Sequence, residues 1–175
     1  MKNKTKPVDQ YVYHEIDDQE KIEKFLEKTA PLIGQIVFKF NTLEECLNLE
    51  ICQWLNSRTD TFGLIVLHKL NFSSKVDLLK RFCITYEKDC NVKLPTLIKL
   101  INNLYEAGRL RNAVVHAEWE NTDFEGYTHV NIKFNRDGFK QEYIQFTENS
   151  LKSIIILITD TLNLFDLADD EKNNR

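Results

Sequence analysis

A long run of apolar residues at steps of three and four constrains the fold of this chain more than any other feature. Such steps place side chains on one side of an α-helix, which turns once in about 3.6 residues. The run consists of Ile33, Ile36, Val37, Phe40, Leu43, Leu47, Ile51, Trp54 and Leu55. It predicts a helix of about six turns with one buried stripe, and this helix is expected to end near Asn56-Ser57.

Five further segments are predicted to be helical. The first runs from Asp17 or Asp18 to a break before Pro31, because a proline disfavours helical backbone in the residue before it. The segment 62–70 is apolar almost throughout and fits either a short buried helix or a strand, of which we favour the helix. The other three helices begin at Ser73 or Ser74, at Pro95 and after Thr147.

One segment alternates instead of following the helical period. Val130, Ile132 and Phe134 alternate with polar residues, and the turn-forming residues 135–138 follow them, which predicts a β-hairpin over about 127–146. The chain is therefore expected to be mainly α-helical, a bundle of about five or six helices with this hairpin inserted before the last helix. We expect a single helical domain over 17–168, a flexible N-terminal segment over 1–16 and a frayed tail over 169–175.

Length and composition favour one globular domain. The chain has 175 residues, of which 42% are apolar and 29% charged, enough to bury a core. No long apolar run follows the lysines at the start, so a soluble, cytoplasmic protein without a membrane partner is expected. The spacing of Cys46, Cys52, Cys83 and Cys90 fits neither a redox CxxC motif nor a zinc knuckle. Buried free thiols are the favoured interpretation, with a metal or disulfide role as the alternative.

The net charge of −4 hides a basic segment between His68 and His116. It holds nine basic residues and four acidic ones, a local balance of +5 that leaves −9 for the rest of the chain. A cluster of this sign can attract phosphate groups. The alternative interpretation is an ordinary solvated helix face rich in lysine.

Arg111-Asn112-Ala113-Val114-Val115-His116 is the segment with the clearest chemical potential. At about 100° per residue, Arg111 and His116 lie roughly 140° apart on a straight helix, whereas Asn112 and Arg109 lie within about 40° of His116. A straight helix therefore groups Arg109, Asn112 and His116. Arg111 can join them through a helix break near Gly108, through its own length, or in a second subunit.

An arginine and a histidine in one cleft suit cleavage of RNA by its own 2′-hydroxyl. Imidazole accepts and donates protons near neutral pH, while guanidinium remains charged and matches phosphate oxygens with two hydrogen bonds. His116 would act as base or acid, and Arg111 would stabilise charge on phosphorus; each effect contributes on the order of 10² in rate. The chain contains no HExxH motif and no Asp-rich loop, so neither a metal nor another cofactor is predicted.

The stretch from Arg109 to Trp119, which lies behind several amphipathic helices, resembles the HEPN superfamily. The signature of that superfamily is an arginine, often followed by a polar residue such as asparagine, and then a histidine after four to six residues. The resemblance implies a HEPN-like helical bundle that forms a homodimer, with motifs from two subunits facing one cleft. Many members are metal-independent ribonucleases of toxin–antitoxin, phage-defence or other RNA-cleaving systems.

By this resemblance, Arg111 and His116 are the catalytic pair, Asn112 is a supporting residue, and the expected partners are RNA, a second copy and an antitoxin or other protein. Arg109 is a further supporting candidate from its place on the helix. One branch of the superfamily carries a modifiable tyrosine two places after the histidine, where this chain has Glu118. The hairpin is an addition to the basic bundle, suited to covering the cleft or binding a partner.

Each candidate residue also has an ordinary structural interpretation. His116 could bond to Glu120 or to a carbonyl, and Arg109 could pair with Glu106 or Asp123. His14, His68 and His129 are expected to be structural or surface residues, and Trp54 and Trp119 core or interface residues. The alternative function is a non-catalytic helical dimer in which the same polar residues bind a nucleotide, RNA or protein partner.

Overall fold

The computed structural model describes residues 1–8, 19–56, 58–136 and 138–173. Within them the chain is mainly helical, with a small antiparallel sheet. The elements in chain order are β1 (Asn3–Pro7), α1 (Gln19–Leu55), α2 (Thr61–Leu67), α3 (Phe72–Cys90), α4 (Pro95–Val115), β2 (Glu118–Thr122), β3 (Tyr127–Asn135), β4 (Gly138–Gln145) and α5 (Glu148–Asn173).

The first two predicted helices are one continuous helix, α1, with Pro31 inside it. The predicted break before Pro31 is therefore wrong, and the predicted starts at Asp17 or Asp18 lie outside the described residues. A helix-interior proline loses one hydrogen bond and crowds the preceding turn. Buried side chains on both sides of Pro31 compensate for this, because Ile22, Thr29 and Ile36 follow one another at seven-residue steps along the same face.

The chain divides into two compact units. One consists of Met1–Val37 and Leu110–Ile155, and the other consists of Phe38–Arg109 and Ile156–Arg175. The single domain expected over 17–168 stays a prediction.

The first unit contains a four-stranded antiparallel sheet in the order β1-β4-β3-β2. The predicted hairpin is confirmed as β3 and β4, but the sheet is larger than a hairpin. β1 pairs with β4, with Lys4 opposite Tyr143, whereas the sequence predicted a flexible segment there. Its pairing partner lies more than 130 residues away in the chain, so no local pattern signals the strand.

The turn between β2 and β3 holds this sheet together at one end. Asp123 accepts hydrogen bonds from the amides of Glu125 and Tyr127 and forms an ion pair of 2.7 Å with Lys4. Gly126 adopts a φ of +82°, which favours glycine. A side chain there would lie 2.5 Å from the carbonyl oxygen of Phe146, so this close approach also requires glycine.

The second unit is helical in its described part. Its core is built from one face of each helix that it contains, and includes Phe40, Leu43, Leu47, Ile51, Val76, Leu79, Cys83, Leu97, Leu100 and Leu104. Glu171 of α5 accepts hydrogen bonds from the amides of Thr96 and Leu97. These amides have no partner within α4, and a carboxylate at a helix N-terminus is electrostatically favourable.

α2 is helical as predicted but is not a buried helix. Only Gly63 and Leu67 are buried in it, while Phe62, Leu64, Ile65 and Val66 are exposed. The apolar run therefore indicated the helix correctly and its burial incorrectly, because a single short helix cannot bury every side.

The cysteines are all free thiols. Cys52 and Cys83 are buried, Cys46 is half-buried and Cys90 is exposed. Burial raises the pKa of Cys83 to about 11, which keeps this thiol protonated and unreactive. No helix in the described part of the chain is long and apolar enough to span a bilayer.

The continuity of α1 predicts that Pro31→Ala raises stability. Pro31 is exposed, and alanine there restores an amide that can donate to the carbonyl of Glu27, with a gain of about 1 to 3 kcal/mol. Thermal unfolding should then shift upward by a few degrees, roughly 2–4 °C per kcal/mol for a chain of this size. An unchanged or lower melting temperature would indicate that the helix is interrupted at this position.

Candidate functional site

The candidate site lies at the C-terminal end of α4. This helix runs from Pro95 to Val115 through Gly108 without interruption, so the break near Gly108 that would bring Arg111 beside His116 is absent. Gly108 has a packing role instead. A side chain at this position would lie 2.8 Å from the ring of Phe72, and that ring packs on Phe40 with 4.6 Å between centroids.

His116 is the first residue after α4. Its amide still donates to the carbonyl of Asn112, at 3.0 Å, so its backbone continues the last turn of the helix. Its side chain is exposed and makes no hydrogen bond to any residue in the described part of the chain. The structure thus does not support the interpretation of His116 as a structural histidine bonded to Glu120.

Trp119 fixes the turn from α4 into β2. Its indole nitrogen donates to the carbonyl of Val114 at 2.8 Å, which satisfies one of the carbonyls left open at a helix C-terminus. Its ring packs on Phe146, with 5.0 Å between centroids. Trp119 is therefore a packing residue, in line with its ordinary interpretation, and it holds His116 at the surface by fixing the backbone on both sides.

Arg111 and Asn112 are in contact with each other. Nη1 of Arg111 donates to Oδ1 of Asn112 at 3.1 Å. Arg111 is half-buried and Asn112 is exposed. Asn112 is thus hydrogen-bonded to Arg111 through its side chain and to the amide of His116 through its backbone carbonyl.

Arg109 belongs to the second unit and is engaged by Glu106. The guanidinium donates two hydrogen bonds, of 2.8 and 2.7 Å, to the two carboxylate oxygens. This pairing lowers the pKa of Glu106 and raises that of Arg109. The ordinary interpretation of Arg109 as the partner of Glu106 is confirmed.

The basic segment between His68 and His116 is less available than its charge balance suggests. Lys75 is buried and forms an ion pair of 2.7 Å with Glu44, and Lys93 lies 3.8 Å from Glu87. With Arg109 also paired, three of the nine cations have a carboxylate oxygen at 2.7 to 3.8 Å. The charge balance already includes Glu87 and Glu106, but it does not include Glu44, which lies outside the segment in the sequence.

The other histidines occupy different environments. His14 lies outside the described residues, and His68 is exposed. His129 is 4% exposed and lies in β3 with its ring 5.5 Å from that of Tyr143. Burial lowers its pKa, an effect that the neighbouring carboxylate of Glu118 partly opposes. His129 is thus a structural histidine, in agreement with its ordinary interpretation.

Two aromatic residues with an unusual environment were missed by the sequence analysis. Phe134 and Phe139 face each other near the end of the β3–β4 hairpin, and both are exposed. The basic residues Lys133, Arg136 and Lys140 around the pair are the signal that could have marked this end as a binding surface.

Comparisons with protein-family models, curated proteins and solved structures gave no match for this chain. The HEPN resemblance therefore rests on residues 109–119 and stays a prediction. Within the described ranges, no three side chains of His, Cys, Asp or Glu are grouped as metal ligands would be.

The buried state of His129 predicts that acidification destabilises the protein. Its pKa in the folded chain lies below the ordinary value of 6.5, so the unfolded chain binds more protons below that pH, and the free energy of unfolding falls as pH drops. The fall is at most about 1.4 kcal/mol per pH unit for one group. Urea unfolding at pH 7.5 and 5.5 measures it. The free energy of unfolding should differ less between these two pH values in His129→Gln than in the wild-type protein. An equal difference in both proteins would assign the effect to other groups.

Proposed function

We propose that this protein is a metal-independent endoribonuclease of HEPN type, with Arg111 and His116 as its catalytic residues. The observation that carries the proposal is the state of His116. Its imidazole is exposed at the end of α4, and no described residue occupies its nitrogen atoms by hydrogen bonding. An accessible imidazole of this kind can exchange protons with a bound substrate.

The proposed reaction is attack of a ribose 2′-hydroxyl on the adjacent phosphorus. His116 as base removes the hydroxyl proton while the new P–O bond forms and the bond to the 5′-oxygen breaks. The leaving 5′-oxygen takes up a proton, and the products are a 2′,3′-cyclic phosphate and a 5′-hydroxyl. Each histidine transfers one proton at a time, so a homodimer with two facing motifs would supply the base and the acid from different copies.

In this proposal Arg111 binds the phosphate, and Asn112 positions the side chain of Arg111. A guanidinium can donate two hydrogen bonds to phosphate oxygens and stabilise the charge that develops in the transition state. The bond from Arg111 to Oδ1 of Asn112 restrains the side chain before substrate arrives. Asn112 is thereby a positioning residue. Arg109, whose Nε and Nη2 donate to Glu106, is left out of the proposed chemistry.

The proposal predicts that His116→Ala abolishes RNA cleavage in the presence of EDTA. Removing a catalytic acid or base lowers the rate by about 10² or more, whereas the exposed position of His116 predicts unchanged folding. Denaturing gels of a defined single-stranded RNA measure the cleavage, and circular dichroism checks the fold. The matched control is His68→Ala, since His68 is also exposed but lies outside the proposed site.

Two results would contradict the ribonuclease. One is cleavage by His116→Ala at the wild-type rate, which would assign the activity to a contaminant or another site. The other is absence of cleavage by the wild-type protein across several RNAs, which would favour a non-catalytic binding module. Arg111→Lys adds a further check, because it keeps the charge but loses the two-pronged donor geometry, and is expected to retain RNA binding with reduced cleavage.

A further inference from the structure

The end of the β3–β4 hairpin carries two exposed aromatic rings in contact. Phe134 and Phe139 are opposite each other in the register, and their ring centroids are 4.7 Å apart at an interplanar angle of 48°. They are 73% and 58% exposed. Exposing two large apolar rings beside each other is unfavourable in water, so this pair suits a partner that covers it.

Basic residues outnumber acidic ones around the pair. The parts of β1, β3 and β4 near the rings, together with the turn, contain Lys6, Lys133, Arg136 and Lys140, against the acidic residues Asp137 and Glu142. This end of the sheet is thus basic in a chain whose net charge is −4. A concentration of cations against the overall charge attracts anionic partners.

The strand register places one of these lysines on the same face as the rings. Lys6 is opposite Gln141, and Gln141 is two residues from Phe139 in β4, so all three side chains lie on one face. The position of Lys6 Nζ, 5.9 Å from the ring centroid of Tyr143, agrees with this. Lys133 lies on the opposite face, where it pairs with Glu142 at 2.7 Å.

The same sheet contains an exposed phenylalanine in the opposite electrostatic setting. Phe124 in the β2–β3 turn is 59% exposed, close to the value for Phe139, but its neighbours are Asp123 and Glu125. Exposure alone therefore does not distinguish the hairpin end from the β2–β3 turn. The hairpin end differs because it combines two rings in contact with nearby basic residues.

We propose that the hairpin end formed by Phe134, Phe139, Lys6 and Arg136 binds single-stranded RNA. Bases stack on the rings, and backbone phosphates contact Lys6 and Arg136. Stacking on aromatic side chains is tolerant of sequence because every base has a π-face, and it requires unpaired bases. This inference rests on the proposed function and extends it, since it assigns the surface that holds the substrate. The hairpin and the Arg111–His116 segment belong to the same compact unit.

A second copy of the chain fits this surface less well than RNA. Each aromatic side chain buries at most about 150–250 Å², and part of each ring is already covered by the other. A stable protein interface takes about 800 Å² from each partner. Two rings with cations beside them instead match the alternating bases and phosphates of a strand.

RNA binding by the His116→Ala protein, which does not cleave its ligand, tests the proposal. Fluorescence anisotropy with a labelled oligouridylate of about 12 nucleotides gives the Kd. Adding Phe134→Ala and Phe139→Ala should raise the Kd about 5- to 150-fold, which corresponds to one base that no longer stacks. Phe134→Leu with Phe139→Leu should do nearly the same while retaining apolar strand residues, which separates stacking from folding. The matched control, Phe124→Ala, should leave the Kd within about twofold of the parent value.

The salt dependence tests the cations separately. In the same background, Lys6→Gln with Arg136→Gln should reduce the slope of log K against log salt by about 0.7 for each RNA phosphate that the protein no longer neutralises. Phe124→Ala should not change this slope.

The possible results distinguish this inference from the proposed function. RNA binding that is unchanged by both phenylalanine double substitutions overturns the inference, while cleavage by the wild-type protein, measured independently, still supports the ribonuclease. Absence of both cleavage and binding overturns both. If light scattering shows that the phenylalanine double substitutions abolish self-association while RNA binding is unchanged, a second copy is the occupant of this surface, and the RNA assignment is overturned.

Discussion

The hydrogen bond from the Trp119 indole to the carbonyl of Val114 connects the end of α4 to the start of the sheet in the first unit. It closes the C-terminal end of α4 and sets the direction in which the chain leaves the helix. The backbone then passes from helix to strand within two residues, His116 and Ala117. Packing of the same ring on Phe146 connects this turn to the end of β4. The exposed position of His116 follows, because its neighbours are fixed while its own side chain has no role in the core.

Charge in this protein is arranged by local pairing rather than by sequence segment. In the segment that looks most basic in the sequence, Lys75 pairs with Glu44 from outside the segment, while Lys93 and Arg109 pair with acids of the segment itself. The less noticeable lysines of β1 and of the hairpin become neighbours only because β1 pairs with β4. Charge counts along a chain measure attraction to partners poorly when the pairing residues are distant in sequence. The cations that matter for binding are those that folding brings together without an equal number of acids.

Periodicity predicted most of the fold, because it reports burial directly. The helices α1, α3, α4 and α5 and the β3–β4 hairpin all follow from apolar spacing. The predicted break before Pro31 was wrong, because the buried face of α1 continues past the proline and outweighs its local unfavourable effect on the helix. β1 could not be predicted, because five residues with two lysines become a strand only through a partner at the other end of the chain. At the site, the residue types, the approximate angles and the two possible partners of Arg109 could be predicted from the sequence. The exposure of His116 and the choice of Glu106 over Asp123 depend on side-chain placement.

An uninterrupted α4 restricts how Arg111 and His116 could serve one reaction. Without a break at Gly108, the two side chains leave the helix about 140° apart, and only the length of the arginine or a second copy remains to unite them. Contact between them is not required by the chemistry. The guanidinium must reach the non-bridging oxygens of a phosphate, whereas the imidazole must reach the 2′-hydroxyl or the 5′-oxygen, and these atoms lie on different sides of phosphorus. Two side chains that diverge from one helix end are therefore compatible with the proposed cleavage at a single phosphate, provided that the RNA strand is held against that end by a surface other than the proposed catalytic residues.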